Sequence, residues 1–389
     1  MSDPDTEHFK VLIKKVATEQ NLTEYSVKVQ AINSEGANYT SRLYSVTIQG
    51  DKELNLFAKI AAVREKLRAQ GSKYYETEIF AYTKLVKIYE RLEEQLNVPK
   101  EHRAAFIKYY GCIDEAPKEV ILLEDLTSQG FSTFDRFKSV DWEYASSAVR
   151  EMAKLHALSY AYRESNPEDF DEVVKNVGFD WLTLGESLTL YFEQVVRKAV
   201  SNVREENREK MLTFCTGFSK ETFVAHFKAK SPVLIHGDYR PSNLMHKQRE
   251  DGSIEIKIVD LQTLQGGSPI VDLLYFIFTG SGEEFRAEYY SRLVEHYYAE
   301  LCAALSRLQL KPDEIYSRDQ FYAELEEKLP FGLSIAIFSL PVITVEAQNA
   351  PKVDEITEAS SFSIEKTSDL YTERLNGIVN DYVKWGILK

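Results

Sequence analysis

The chain has 389 residues, 44% of them hydrophobic, and 61 acidic against 47 basic residues leave a formal net charge of −14. That length implies two domains or one large bilobal unit with real cores, and 23 Tyr, 21 Phe and 3 Trp exclude a disordered chain. The acidic balance argues against a nucleic-acid partner, and the three cysteines, Cys112, Cys215 and Cys302, are odd in number and without metal or redox spacing, which excludes a disulfide scaffold and suits a reducing compartment.

The first residues, Ser2 to Glu7, are acidic where a signal peptide would be basic and then apolar. Phe9, Leu12, Ile13 and Val16 stand at helical spacing and predict a short amphipathic helix. Three strand-like segments follow, Tyr25–Ile32, Thr40–Gln49 and Leu54–Ile60, separated by turn residues at Asn33–Gly36 and Gly50-Asp51. They predict an antiparallel meander. A long helix is expected over Lys73–Gln95, with Tyr75, Ile79, Tyr82, Leu85, Val86, Tyr89 and Leu92 on one face. Two more strands fit Ala105–Cys112 and Glu119–Leu123.

Beyond Leu126 helical patterns dominate: Asp141–Arg163, Asp180–Lys198, Glu205–Ala229, Glu283–Leu308, Pro330–Ala347 and Ser368–Lys384. One β interlude is expected, a hairpin of Leu244–His246 and Ile254–Val259 turning at Asp251-Gly252. The most apolar stretch, Pro269 to Phe278, is too short to cross a bilayer and holds Asp272. These elements predict an α+β chain of two unlike parts: a small antiparallel β-sheet lobe with one long helix over residues 1–126, and a large, mostly helical lobe over 127–389. The expected setting is cytoplasmic, without membrane insertion, and the natural ligand site is the cleft between unlike lobes.

The strongest chemical signal is His236-Gly237-Asp238-Tyr239-Arg240-Pro241-Ser242-Asn243, followed after the hairpin by Val259-Asp260-Leu261-Gln262. Phosphoryl transfer needs a carboxylate near the attacking hydroxyl and oxygen ligands for the metals on the phosphates. The protein-kinase template supplies an aspartate, an asparagine five residues on, and a second aspartate after a hairpin. Asp238, Asn243 and Asp260 match that order and spacing. Lys59 sits in an otherwise apolar third strand, and a buried ammonium needs a partner. Glu78 on the next helix is preferred over Glu76, because Tyr75, Ile79 and Tyr82 make that side the inward face. The segment Asn33 to Tyr39 stands where a phosphate-covering loop would be; with one glycine, a plain hairpin turn competes with that reading. A Walker A loop, a complete dinucleotide fingerprint and a Gly-x-Ser-x-Gly elbow are all missing from the sequence.

Taken together, Gly36-x-Asn38-Tyr39-x-Ser41, Phe57-Ala58-Lys59, Tyr75-x-x-Glu78-x-x-Ala81-Tyr82, Leu122–Leu126, Leu155-His156-Ala157, His236-Gly237-Asp238 and Asp260-Leu261-Gln262 resemble the ecdysteroid kinase-like family, relatives of choline and aminoglycoside kinases. The resemblance runs from about Asn33 to the C-terminal helices. It implies a bilobal, protein-kinase-like fold and an enzyme that uses ATP and Mg²⁺ to phosphorylate a hydroxyl of a small molecule, an ecdysteroid-like or foreign alcohol. Alternatives are a choline- or aminoglycoside-type kinase and an inactive pseudokinase that only binds. Carried over, Asp238 is the catalytic base, Asn243 and Asp260 hold Mg²⁺, and Lys59, paired to Glu78, holds phosphates. Asn38, Tyr39 and Ser41 belong to the nucleotide cover, and Glu124 to Leu126 form the hinge that meets adenine. Many members carry a tryptophan two residues after the catalytic aspartate, whereas Arg240 stands here. Its forked guanidinium suits charge on the transferring phosphoryl group; a pairing with a surface carboxylate is the competing reading. His236 is expected to fix the loop with Asp272 as a candidate partner, and His156 to be a satisfied core histidine.

Overall fold

The computed structural model describes residues 7–33, 41–61, 65–116, 118–178, 180–351, 356 and 358–389. Helix α1 (Glu7–Glu19) buries Phe9, Leu12, Ile13, Val16 and Ala17, the face its spacing predicts. It packs on a five-stranded antiparallel sheet built from β1 (Ser26–Ile32), β2 (Ser41–Gln49), β3 (Glu53–Ala61), β4 (Tyr109–Ile113) and β5 (Val120–Glu124), in the order β1-β2-β3-β5-β4. The first three strands form the expected meander. Asn38 and Tyr39 lie outside the described residues.

Side chains alternate across a strand, so Leu56, Ala58 and Ile60 of β3 join the α1 cluster while Phe57, Lys59 and Ala61 face the other way. That second face is covered by the long helix: α2 (Glu65–Phe80), a π turn (Ala81–Leu85) and α3 (Val86–Gln95) run on as one rod. It begins at Glu65, before the expected Lys73, and buries Tyr75, Tyr82, Leu85, Val86, Tyr89 and Leu92. Strand β4 is shorter than its sequence suggests, since residues 105–108 are not in the ladder.

After β5 come β6 (Ser132–Thr133), α4 (Trp142–Ser165), α5 (Pro167–Asn176), α6 (Gly185–Asn202), α7 (Arg208–Thr216) and α8 (Lys220–Phe227). The single helix expected over Glu205–Ala229 is broken, because Ser219 caps α8 with a reciprocal bond to Thr222 and so starts a new helix. Next are β7 (Val233–Ile235), β8 (Leu244–Gln248), β9 (Ile254–Ile258) and β10 (Gln265–Gly267). The β8–β9 hairpin is as expected, but it is not the only β structure here: β6 pairs with β8, and β7 with β10. The chain ends in α9 (Pro269–Gly280), α10 (Glu283–Arg307), α11 (Pro312–Ile315), α12 (Arg318–Lys328), α13 (Pro330–Ile343) and α14 (Asp369–Lys384). Helix α9 is buried along its whole length, as befits a helix apolar on every side. Among the described residues no helix is long and apolar enough to cross a membrane. The fold class is α+β: an antiparallel sheet region followed by a mostly helical remainder.

Candidate active site

The pleat of β3 decides where Lys59 goes. It stands opposite Leu43 of β2 and Ile121 of β5, on the sheet face that α2 covers, and is 5% exposed. Its Nζ donates to Glu78 Oε2 at 2.6 Å, to Asp260 Oδ1 at 2.6 Å and to Gln262 Oε1 at 3.2 Å. Glu76 is exposed and within 3.5 Å of Lys73 instead, so the helix face selects Glu78. Burial alone would lower the Lys59 pKa, but the Asp260 and Glu78 carboxylates outweigh it and hold the ammonium above its ordinary value. The two carboxylates differ. Burial pushes Glu78 up against the pull of Lys59, whereas at Asp260 the Lys59 contact overcomes burial and lowers the carboxyl. Asp260 therefore carries the firmer negative charge. Its backbone sits in the left-handed region at φ 65°, an unfavourable conformation for a residue with a Cβ and one held here by the surrounding contacts.

The second half of the site is the loop that leaves β7. Gly237 has φ 79°, and a Cβ there would come within 2.5 Å of Thr263 O, so only glycine fits the turn. The buried Asp272 of α9 accepts the backbone N–H groups of His236 at 2.7 Å and Gly237 at 2.9 Å. The His236 ring meets Val259 O through Nε2 at 2.9 Å. A carbonyl only accepts, so the proton is on Nε2 and Nδ1 is left to accept from Asp238 N at 3.3 Å. His236 is thus tied to Asp272 through its main chain, not its ring. His156 is fully buried between Tyr297 OH (2.7 Å) and Asp272 Oδ2 (3.2 Å), a satisfied core histidine that also steadies the loop's anchor.

Asp238 Oδ2 accepts from Asn243 Nδ2 at 2.8 Å and from Arg240 Nε at 3.1 Å. Arg240 is half-buried, which by itself disfavours its charge, yet Asp238 first and Asp260 after it keep the guanidinium protonated. Val259 N donates to Asn243 O at 3.0 Å, so the hairpin returns Asp260 to the side of Asn243. With its Nδ2 held by Asp238, Asn243 has its Oδ1 left to accept. Asp260 and Asn243 offer only oxygen, the hard donors that Mg²⁺ takes when substrate phosphates and water complete its shell; the residues fit that ion.

Glu124 and Leu126 flank the crossing between sheet and helices. The Glu124 carboxylate accepts Lys108 N at 2.9 Å and Gln129 Nε2 at 2.8 Å, and Asp125 N donates to Asn55 O at 3.1 Å. Ser41 is not turned to Lys59; it is 1% exposed and its hydroxyl pairs with Tyr75 OH at 2.7 Å. Two participants carried no role in the sequence. Gln262, inside the Asp-x-Gln motif, bridges Lys59 and Asp260 with its amide, Nε2 lying 3.4 Å from Asp260 Oδ2. Tyr275, three residues after Asp272, has its phenol raised well above its ordinary value by burial first and then by the charge of Asp238; the helical spacing from Asp272 was the signal that could have found it. The three cysteines are free and half-buried, and burial pushes the Cys215 thiol up to about 11, away from reactivity.

A sequence profile of the ecdysteroid kinase-like family matches residues 35–310. No curated protein sequence matches the chain. Among solved structures it is similar to the GDP complex of aminoglycoside 2'-phosphotransferase-IIIa, at 11% identity over 98% of this chain and 99% of that one, with a TM-score of 0.48. It is also similar to macrolide 2'-phosphotransferase MphH from Brachybacterium faecium, at 12% identity, 92% and 99% coverage and a TM-score of 0.39. Glucosamine kinase in complex with glucosamine, ADP and inorganic phosphate aligns at 10% identity, 98% and 84% coverage and a TM-score of 0.36.

Proposed function

This chain belongs to the ecdysteroid kinase-like family, a family of phosphotransferases acting on small-molecule hydroxyl groups, and from that premise we propose that it transfers the γ-phosphate of ATP to an ecdysteroid-like or foreign alcohol in the cytoplasm. The observation that carries the reading is the meeting of Lys59 with Asp260 at 2.6 Å, across 201 residues of sequence. That contact joins a phosphate-binding cation to the metal-side carboxylate, within one loop of Asp238.

In this reading residues 1–126 hold the nucleotide and residues 127–389 the acceptor. Glu124 to Leu126 meet adenine through their main chain. The hairpin bearing Asn38, Tyr39 and Ser41 covers the phosphates, Ser41 by its backbone because its hydroxyl faces Tyr75. Lys59, kept charged and fixed by Glu78, neutralises phosphate oxygens. Asn243 and Asp260 would hold Mg²⁺, which would supply positive charge against the phosphates. The transition state for transfer to an alcohol is loose, so placement and charge matter more than proton removal. Asp238 orients the acceptor hydroxyl and takes its proton as the new P–O bond forms and the γ-phosphorus parts from the β-phosphate oxygen, which leaves with ADP. Arg240 keeps its Nη donors for the transferring group while Nε rests on Asp238.

The test is transfer from γ-labelled ATP, with Mg²⁺, to a panel of ecdysteroids, choline, ethanolamine, aminoglycosides and phenols. Label on a ring-bearing alcohol is expected, with Asp238→Asn lower by about a hundredfold or more. Label on choline or an aminoglycoside would replace the acceptor class, and nucleotide binding without any transfer would leave a binding protein.

A further inference from the structure

Three side chains at the metal-side aspartate close a ring of hydrogen bonds. Lys59 Nζ donates to Asp260 Oδ1 at 2.6 Å and to Gln262 Oε1 at 3.2 Å, and Gln262 Nε2 donates to Asp260 Oδ2 at 3.4 Å. The remaining Lys59 donor is on Glu78 at 2.6 Å, so each N–H of the ammonium has an acceptor. An aspartate at the head of a helical turn ordinarily accepts one of that turn's backbone N–H groups. Asp260 precedes the one-turn helix Leu261–Thr263 and makes no such bond; its two oxygens go to Lys59 and Gln262 instead. The turn that carries Gln262 is itself tied down, since Thr263 Oγ1 donates to His236 O at 2.9 Å. Gln262 therefore projects from a segment fixed to the catalytic loop.

The chemistry asks for an amide at this position. The side chain between Lys59 and Asp260 has to accept from an ammonium at one end and donate to a carboxylate at the other. An ionised carboxylate only accepts, and an ammonium or guanidinium only donates; the amide does both from one planar group. Its partners fix which way it points, because a flip would set its NH₂ against Lys59 and its carbonyl against Asp260. Asparagine has the same group but lacks one methylene of reach.

We propose that Gln262 is a positioning residue, holding the Lys59 ammonium and the Asp260 carboxylate in register. In the proposed reaction these two groups have to release each other, Lys59 to phosphate oxygens and Asp260 to the ion. Gln262 keeps hold of both during that exchange, so Asp260 stays in its rotamer when Lys59 turns to phosphate. The inference rests on Lys59 and Asp260 being the phosphate-side and metal-side groups.

The test uses Mn²⁺ as the probe ion. Calorimetry gives the affinity for the non-hydrolysable ATP analogue AMP-PNP with saturating Mn²⁺ and again in metal-free buffer, and the ratio of the two is the contribution of the metal. Gln262→Met, close in length but without the amide, should lower that ratio about tenfold, the scale of a lost contact behind a metal ligand. Its metal-free affinity should be unchanged. Gln262→Asn, whose amide falls short, should do the same, so the result does not hang on one variant. An unchanged ratio in either variant, or a loss equal with and without Mn²⁺, overturns the proposal. Asp260→Ala should remove the gain from Mn²⁺ altogether, and Gln262→Met in that background should have no further effect on the ratio. An Asp260→Ala variant that keeps the wild-type ratio removes Asp260 from the metal, and the positioning role falls with it. A ratio lost in Asp260→Ala but intact in Gln262→Met leaves the role of Asp260 standing and overturns this inference alone.

Discussion

Arg240 resolves at the level of single bonds. It does not pair with a surface carboxylate; its Nε is 3.1 Å from Asp238 Oδ2, beside the atom that would meet the acceptor. In the proposed reaction a cation placed there would stabilise charge that develops during transfer. Arg240→Ala should therefore cut turnover about a hundredfold with little change in ATP affinity; equal losses in both would mark a ground-state contact. A different residue sets a pH dependence. Glu93 of α3 is 3% exposed and accepts Ala104 N at 2.7 Å. Burial pushes its carboxyl from 4.5 up to about 7, against that hydrogen bond and the pull of Arg103 and Lys154. The folded chain therefore holds this proton more tightly than the unfolded one. The contribution to stability is full below pH 4.5 and is lost as pH rises through about 7. Glu93→Gln keeps the acceptor oxygen and should flatten that window, gaining about 1–2 kcal/mol at pH 8 after allowing for solvent screening. Urea titrations at pH 5 and pH 8 check it, and a gain of equal size at both would refute the assignment.

Among elements, the long helix and the α9–α13 pair do most to shape the site. The π turn at Ala81–Leu85 interrupts the i to i−4 ladder one turn after Glu78. Such turns are rare and concentrate at functional places. This one carries Tyr82, 2% exposed, whose phenol is raised by burial and by the charges of Glu78 and Asp260. The tyrosine therefore roofs the ion pair without adding charge to it. On the other side, α13 approaches α9 and α14 at Gly332, where a Cβ would lie 2.3 Å from both Phe278 Cδ2 and Tyr382 Oη. Both neighbours are buried, so neither can give way cheaply. Gly332→Ala should cost about 1–3 kcal/mol, read as a lower urea midpoint with unchanged slope. An unchanged midpoint would mean that the helices separate freely.

At the scale of the molecule the described residues form two hydrophobic clusters, and they do not coincide with sheet and helices. The smaller lies between α1 and one face of the sheet. The larger begins on the other face, at Ala61, Ile121 and Leu123, takes in Tyr75 and Tyr89, and runs on through the C-terminal helices. Lys59 stands on that shared side, so the site is built at the seam of one continuous core. A ligand there should stabilise the whole unit by mass action. Mg-ATP at about a hundred times its Kd should add about 2.7 kcal/mol, seen as a single shifted thermal transition. Lys59→Met should abolish the shift and, by leaving Glu78 buried without its counter-charge, lower stability by about 3–5 kcal/mol. A preserved shift would remove Lys59 from the nucleotide site.

The sequence by itself determined the elements and the chemistry that local pattern encodes. The α1 face, the β1–β3 meander and the β8–β9 hairpin follow from hydrophobic period and turn residues. The order Asp238, Asn243, Asp260 marks phosphoryl transfer because those side chains share one loop and its hairpin. Even Glu78 over Glu76 was legible, since the helix period chooses the inward face. Only the tertiary structure decided which distant groups meet. That Lys59 serves Asp260 and Gln262 as well as Glu78, that Asp272 meets His236 through the loop's backbone, and that Ser41 turns to Tyr75 all depend on packing between elements. Periodicity tells which side of a strand or helix is buried; it carries no information about what lies opposite, which is set by sheet order and by the close approach of helices far apart in the chain.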